Sequence, residues 1–283
     1  FFALLIAVFV TNGIATKHEY RDWVIKQTAD RVKSEVRGVI RYSTFQYSYV
    51  VGNYANSSAI EDALSKGHAE KIFLLVQPNF SRIDRKGSDE VFLDFYDETG
   101  HLLIGFNDSL ETSIDQQIIQ RFNDSLSLSS ISGYEMGQQG LYYFFASPVI
   151  NKNQIVGFVR LGLRDEGFVK QLTDSLNIKL GIVFPRRPNG YFGSLFQPIA
   201  GGKDGYLKGY GNDSLFLTGF TNSGNKSVQS SLNWKDNNYH IFPFSVINSY
   251  YGKELCTTFL AINTSNIVKD YRSYLWRLLG FSS

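Results

Sequence analysis

Residues 141–163, LYYFFASPVINKNQIVGFVRLGL, limit the possible folds more than any other stretch of the chain. Two apolar runs of strand length, rich in aromatic and β-branched residues, flank the polar connector Asn151-Lys152-Asn153-Gln154. That is the pattern of two antiparallel strands joined by a short turn. The second run, 155–163, is apolar on both faces apart from Arg160, which places it centrally in a sheet whose two sides are both covered.

The hairpin has an echo near the other end. Tyr142 is followed by Val149-Ile150-Asn151 as Tyr239 is followed by Val246-Ile247-Asn248, and FVRLGL at 158–163 finds a counterpart in TFLAI at 258–262. Phe168-Val169-Lys170 and Ile267-Val268-Lys269 follow the two hairpins, each after a polar, helix-capping stretch. One supersecondary unit is therefore expected twice. At 283 residues and 43% hydrophobic, the chain is long enough for two cores of ordinary domain size.

Upstream, residues 1–10 are wholly apolar, about half of what a membrane-spanning helix needs. They read as the core of a signal peptide or the end of a transmembrane helix, and the second is favoured because no small-residue cleavage pattern follows. From Lys17 to Tyr54 nothing but isolated glycines opposes a helix, and Val32, Val36, Val39 and Ile40 recur at helical spacing. Tyr42, Phe45, Tyr47 and Tyr49 on this helix are expected to pack on the folded body. A shorter helix over 60–76 should end before Pro78. VFLDFYDETGHLLIGFND at 91–108 reads as a second hairpin turning at Gly100, and Leu110, Ile114, Ile118 and Phe122 mark an amphipathic helix.

Helix, hairpin, helical crossover, then the strands around Tyr134 and the 141–163 hairpin is the order of a PAS-like sheet. With FLDFYDETGHLL, GLYYFFASPVI and QIVGFVRLGL, the chain resembles the extracytoplasmic Cache sensor domains, in particular the double-Cache sensors of bacterial histidine kinases, chemoreceptors and cyclic-nucleotide signalling enzymes. The resemblance covers residues 17–185 well and rests on the internal echo over 186–265. It implies an α+β fold: a long N-terminal helix followed by two PAS-like antiparallel-sheet modules, the second smaller. The implied division is 1–16, the end of a first transmembrane helix; 17–56, a stalk helix; 57–184, a membrane-distal module; 185–265, a smaller membrane-proximal module; and 266–283, a helix leading into a second transmembrane helix. In that scheme KLGIVF at 179–184 links the modules and FLTGFTNSG at 216–224 parallels FLDFYDETG at 92–100. The Tyr…Arg-x-Trp-Tyr arrangement of the amino-acid-binding subset is absent.

The residues themselves argue against several chemistries. A net charge of +2 without a Lys/Arg cluster speaks against nucleic acid. The four histidines show no metal-ligand spacing, G-x-S-x-G is missing, and GGKDGYLKGYG at 201–211 lacks the Gly-Lys-Ser/Thr ending of a phosphate loop. Neither a cofactor nor a metal is expected, and the lone Cys256 reads as a small buried hydrophobe. Ile267, Tyr271, Tyr274, Leu275 and Leu278 form a helical stripe next to Trp276 and Arg277, a composition suited to a membrane interface.

The expected function is thus a non-catalytic, extracytoplasmic ligand-sensing domain in the inner membrane, dimerising along its N-terminal helix and passing a helix displacement across the bilayer. A membrane-anchored interaction module without a ligand is the main alternative, and a secreted hydrolase a lesser one. The resemblance puts the ligand on one face of the first sheet, where Asp94 and Arg160 interrupt apolar strands, with Tyr96, Tyr134, Tyr142 and Phe144 as walls. The planar fork of Arg160 favours a small carboxylate. The competing reading is an internal Asp94–Arg160 ion pair.

Overall fold

A computed structural model describes residues 2–83, 91–107, 113–124, 130–137, 140–164, 178–184, 196–198, 206–208, 230–234 and 237–267, with positions 176, 269, 270 and 273. Helix α1 (Phe2–Ala55) is 54 residues long, and two antiparallel sheets pack along it. Among the described residues no helix is long and apolar enough to cross a membrane. Ile25, Ala29, Val32 and Val36, spaced at four, three and four, turn one stripe of α1 into the core of the second sheet, while Val51 and Ala55 enter the core of the first.

The helical segment expected over 60–76 is two helices, α2 (Ser58–Ser65) and α3 (Ala69–Ile83). Gly67, at φ 65°, makes the break between them. Pro78 does not end α3. The carbonyl that loses its partner there belongs to Leu74, which is exposed, so water can satisfy it.

The first sheet comprises β1 (Val91–Tyr96), β2 (Leu102–Phe106), β3 (Ile131–Gly137), β4 (Gly140–Asn151) and β5 (Gln154–Arg164), in the order β2-β1-β5-β4-β3. The β4–β5 connector is a two-residue turn with Lys152 and Asn153 both at positive φ, 48° and 65°, which matches the twist of the flanking strands. β5 lies in the middle, as its two apolar faces require. One face meets α1, α2 and α3; the other meets α4 (Gln116–Asp124) and Ile114.

The second sheet repeats this order. Its strands are β6 (Ile178–Phe184), β7 (Phe196–Pro198), β8 (Tyr206–Lys208), β9 (Ser230–Trp234), β10 (Asn237–Asn248) and β11 (Glu254–Asn263), arranged β7-β8-β6-β11-β10-β9. β6 takes the place of β1, and the β10–β11 hairpin takes that of β4–β5. The match extends to the residue, since Pro148 opposes Phe158 in one hairpin and Pro243 opposes Phe259 in the other. The segment 179–184, assigned from sequence as a link, is therefore the second sheet's own strand beside its long hairpin, and 178 rather than 185 is where that sheet begins. The proposed parallel at 216–224 and most of the C-terminal helix lie outside the described residues.

Tyr47 packs on the first sheet as expected, but Tyr42, Phe45 and Tyr49 are 62%, 71% and 64% exposed. Among the described residues the sheets pack on one side of α1. At 100° per residue these three fall on one arc with the exposed, stacked pair Tyr20 and Trp23.

Candidate functional site

β1 is buried along its whole length. Alternation sends Leu93 and Phe95 toward the helices α1–α3 and Phe92 and Tyr96 toward α4, with Asp94 on the latter side. Asp94 lies directly across the ladder from Arg160 of β5, and Arg160 in turn opposes Ala146 of β4. Both charged residues are 1% exposed. The Arg160 guanidinium reaches along the face to β3, where Nη2 donates to Glu135 Oε2 at 2.8 Å and also to the Tyr142 hydroxyl. It sits over the rings of Tyr142 and Phe144, at 5.2 and 5.3 Å from their centroids.

Burial of a charge at this depth is tolerable only where carboxylates and hydrogen bonds replace water. Glu135 pairs with the guanidinium, and the Asp94 carboxylate is buried on the same face. The Tyr96 hydroxyl donates to Asp94 Oδ2 at 3.0 Å. Burial first, and the Asp94 charge second, push this phenol far above its ordinary pKa, so it stays a neutral donor. Gly162, next to Arg160 on the same face, is what lets the Phe92 ring lie flat on the sheet; a Cβ there would overlap that ring.

Two elements cover the cluster. Phe122 of α4 packs on Phe158 at 5.9 Å, and Tyr250, from the tip of the β10–β11 hairpin, packs on Phe144 at 5.8 Å. Tyr250 is fixed from three sides. Its backbone N–H donates to the Tyr134 carbonyl at 3.0 Å, its hydroxyl accepts from Arg121 Nη1 at 2.8 Å, and its Cβ rests on Gly133. The second sheet thus supplies part of the roof over the first sheet's charges.

Of the six residues expected to form a site, Asp94, Tyr96, Tyr142, Phe144 and Arg160 share this face and Tyr134 does not. Tyr134 precedes Glu135 on β3 and so points to the opposite side, where its ring meets Tyr143 edge-on at 4.6 Å. Sequence reasoning missed Glu135 and Tyr250. Glu135 was one residue away in a short strand whose face depends on register. Tyr250 is 129 residues from the Arg121 it contacts, and no local pattern carries such a pairing. Among the described residues no group of three or more His, Cys, Asp or Glu is placed to hold a metal ion.

No protein-family model matches the sequence, and no curated protein matches it. Solved structures do match in shape. The periplasmic domain of Vibrio cholerae LuxQ is 9% identical, with a TM-score of 0.50 over 83% of this chain and 99% of that one. The sensor domain of the V. cholerae histidine kinase DctB gives 0.46 at 11% identity, over 84% and 96%. The ligand-binding domain of the Pseudomonas fluorescens chemoreceptor CtaA, solved with L-isoleucine, gives 0.43 at 11% identity, over 90% and 98%. At these identities the likeness is one of fold alone: a long helix and two antiparallel sheets, as in the LuxQ periplasmic domain.

Proposed function

We propose that the chain is the extracytoplasmic ligand-sensing part of a transmembrane signalling receptor, itself without catalysis, and that its ligand is a small carboxylate bound at Arg160. The observation that carries this reading is an asymmetry within the ion pair. The Arg160 side chain is 2% exposed, whereas that of Glu135, on edge strand β3, is 21% exposed. A ligand carboxylate can take the place of Glu135 on the guanidinium fork without exposing the cation to water. Tyr142, Phe144 and Tyr250 would then wall the ligand. Release of Glu135 acts on β3, whose Tyr134 carbonyl holds the second sheet's hairpin tip, and the second sheet grips α1 through Ile25 to Val36. A local exchange of carboxylates thereby becomes a movement of a helix, the form in which receptors pass signals across a bilayer.

In the same reading the domain is anchored in the inner membrane by its flanking helices and works as a homodimer. The exposed aromatic arc Tyr20, Trp23, Tyr42, Phe45 and Tyr49 is the dimer face, since Val32 and Val36 are already committed to the second sheet.

Calorimetric titration with a panel of small mono- and dicarboxylates tests the ligand assignment. Binding is expected in the unmodified protein, tighter binding in Glu135→Gln, where the internal competitor is weakened, and none in Arg160→Lys, which keeps the charge but loses the fork. If no carboxylate binds either the unmodified protein or Glu135→Gln, the assignment fails.

A further inference from the structure

On the far side of β3 from Glu135 lies a cavity that shares Tyr142 with the Arg160 cluster. It sits where α1, the first sheet and the second sheet meet, with about 60 Å³ of space, and its walls include Ile40, Leu141, Leu180, Ile182 and Phe244. Among the described residues no Asp, Glu, Lys, Arg or His lines it. Of the hydroxyls on its wall, Ser245 and Thr258 bond to each other and Thr44 donates to the Ile40 carbonyl.

Ser43 and Tyr134 differ from these. Ser43 is 3% exposed on α1 and lines the cavity, and its hydroxyl has no hydrogen-bond partner among the described residues. The Tyr134 hydroxyl has none there either, and burial pushes its pKa up to about 12, so it remains a neutral donor. A hydroxyl on a cavity wall gains a hydrogen bond when a polar group enters the space.

We propose that this inter-sheet cavity is a second binding site, for a small, neutral, mainly aliphatic molecule with one hydrogen-bonding oxygen, such as a short alcohol or ketone. The chemistry of the walls selects that class. Aliphatic side chains take the hydrocarbon, Ser43 and Tyr134 take the oxygen, and a charged ligand finds no counter-ion among the described residues. The space is several times the ~10–15 Å³ needed to hold one water, so it restricts the ligand to a small molecule. Because the walls belong to α1 and both sheets at once, occupation of this site adjusts how the sheets seat on the helix.

The probes are 1-butanol and, as its charged counterpart, butyrate. The readout is the methyl NMR signals of Ile40, Leu180 and Ile182 in the whole chain. Butanol is expected to shift these signals saturably, with butyrate at least tenfold weaker. Ser43→Val should weaken butanol about fivefold, the loss of one hydrogen bond. Leu180→Phe, which fills the space, should abolish the shifts. Thermal melts confirm that each variant is folded, and Tyr134→Phe stands in for either cavity variant that is not. Absence of saturable shifts, equal affinity for butyrate, or insensitivity of binding to the hydroxyl-removing and space-filling substitutions would each overturn the proposal.

Discussion

The two sheets share a topology and differ in what they bury. Counting from the shared Pro–Phe pairs, Arg160 of β5 corresponds to Ala261 of β11, and its cross-strand partner Asp94 corresponds to Lys179 of β6. The first sheet buries two charges on one face; the buried polar side chains of the second, among the described residues, are Thr258 and Thr264. The hairpins differ as well. β4–β5 closes in two residues, whereas β10–β11 carries a longer tip, residues 249–253, with Gly252 at φ 83°. That tip reaches across to the first sheet. One copy of the unit is thus built around a charge cluster, and the other is built to touch it.

The largest effect separating the copies is expected at Arg160. Arg160→Met leaves the buried Asp94 and the partly buried Glu135 without this cation on their face and should cost about 3–5 kcal/mol in denaturant unfolding. Adding Asp94→Leu and Glu135→Gln should recover most of that loss, because an apolar replacement of a whole ionic group is nearly neutral. Ala261→Val, at the matching place in the second sheet, is a packing change expected to cost about 1–3 kcal/mol, with no rescue from charge removal.

Tyr250→Ala should cost about 2 kcal/mol, below the ~3–5 kcal/mol of a fully buried aromatic because the ring is only half-buried. Its signature is location. Amide hydrogen exchange should speed up in β3 and α4 of the first sheet, although the substitution lies in the second. Exchange rising only around residues 249–253 would show that the tip does not brace the first sheet.

A smaller, pH-dependent difference is expected at His240. Burial, with Arg21 adding to it, holds this imidazole below its ordinary pKa, against a weaker opposing pull from Asp22, and Nδ1 pairs with Thr264 Oγ1 at 2.8 Å. The unfolded chain therefore takes up this proton first, near pH 6.5. The contribution is intact above that pH and is lost as the pH falls through the lower folded value. Melting temperatures measured downward from pH 7 should fall less steeply for His240→Gln than for the unmodified protein. Equal slopes would mean that other groups govern the acid limb.

The least effect on the isolated domain is expected from Phe45→Glu, within about 0.5 kcal/mol because the ring is exposed. In membranes the same change should remove disulfide cross-linking through a cysteine at position 42 or 49. Cross-linking that persists would move the dimer face away from this arc.

Much of this architecture was legible from sequence because it follows from periodicity. The apolar run at 155–163 required a central strand, the Asn151–Gln154 connector required a tight turn, and the repeated Tyr, Val-Ile-Asn pattern located the second copy of the hairpin. Alternation along β1, β4 and β5 also put five of the six expected residues on one face, since a strand's period of two assigns faces without knowledge of its neighbours. What sequence could not assign were quantities that depend on which strand lies beside which. Register placed Glu135 rather than Tyr134 against Arg160, so that the tyrosine turned to the inter-sheet cavity. Sheet pairing took 178–184 out of a linker and made it the second sheet's counterpart of β1. The side on which the sheets settled left Tyr42, Phe45 and Tyr49 in solvent, although their composition reads as core. Short-range patterns encode what a segment is, because propensity and periodicity are properties of neighbouring residues. Which segments meet is settled by packing between residues far apart in the chain, and the contact between Arg121 and Tyr250 has no trace in either segment alone.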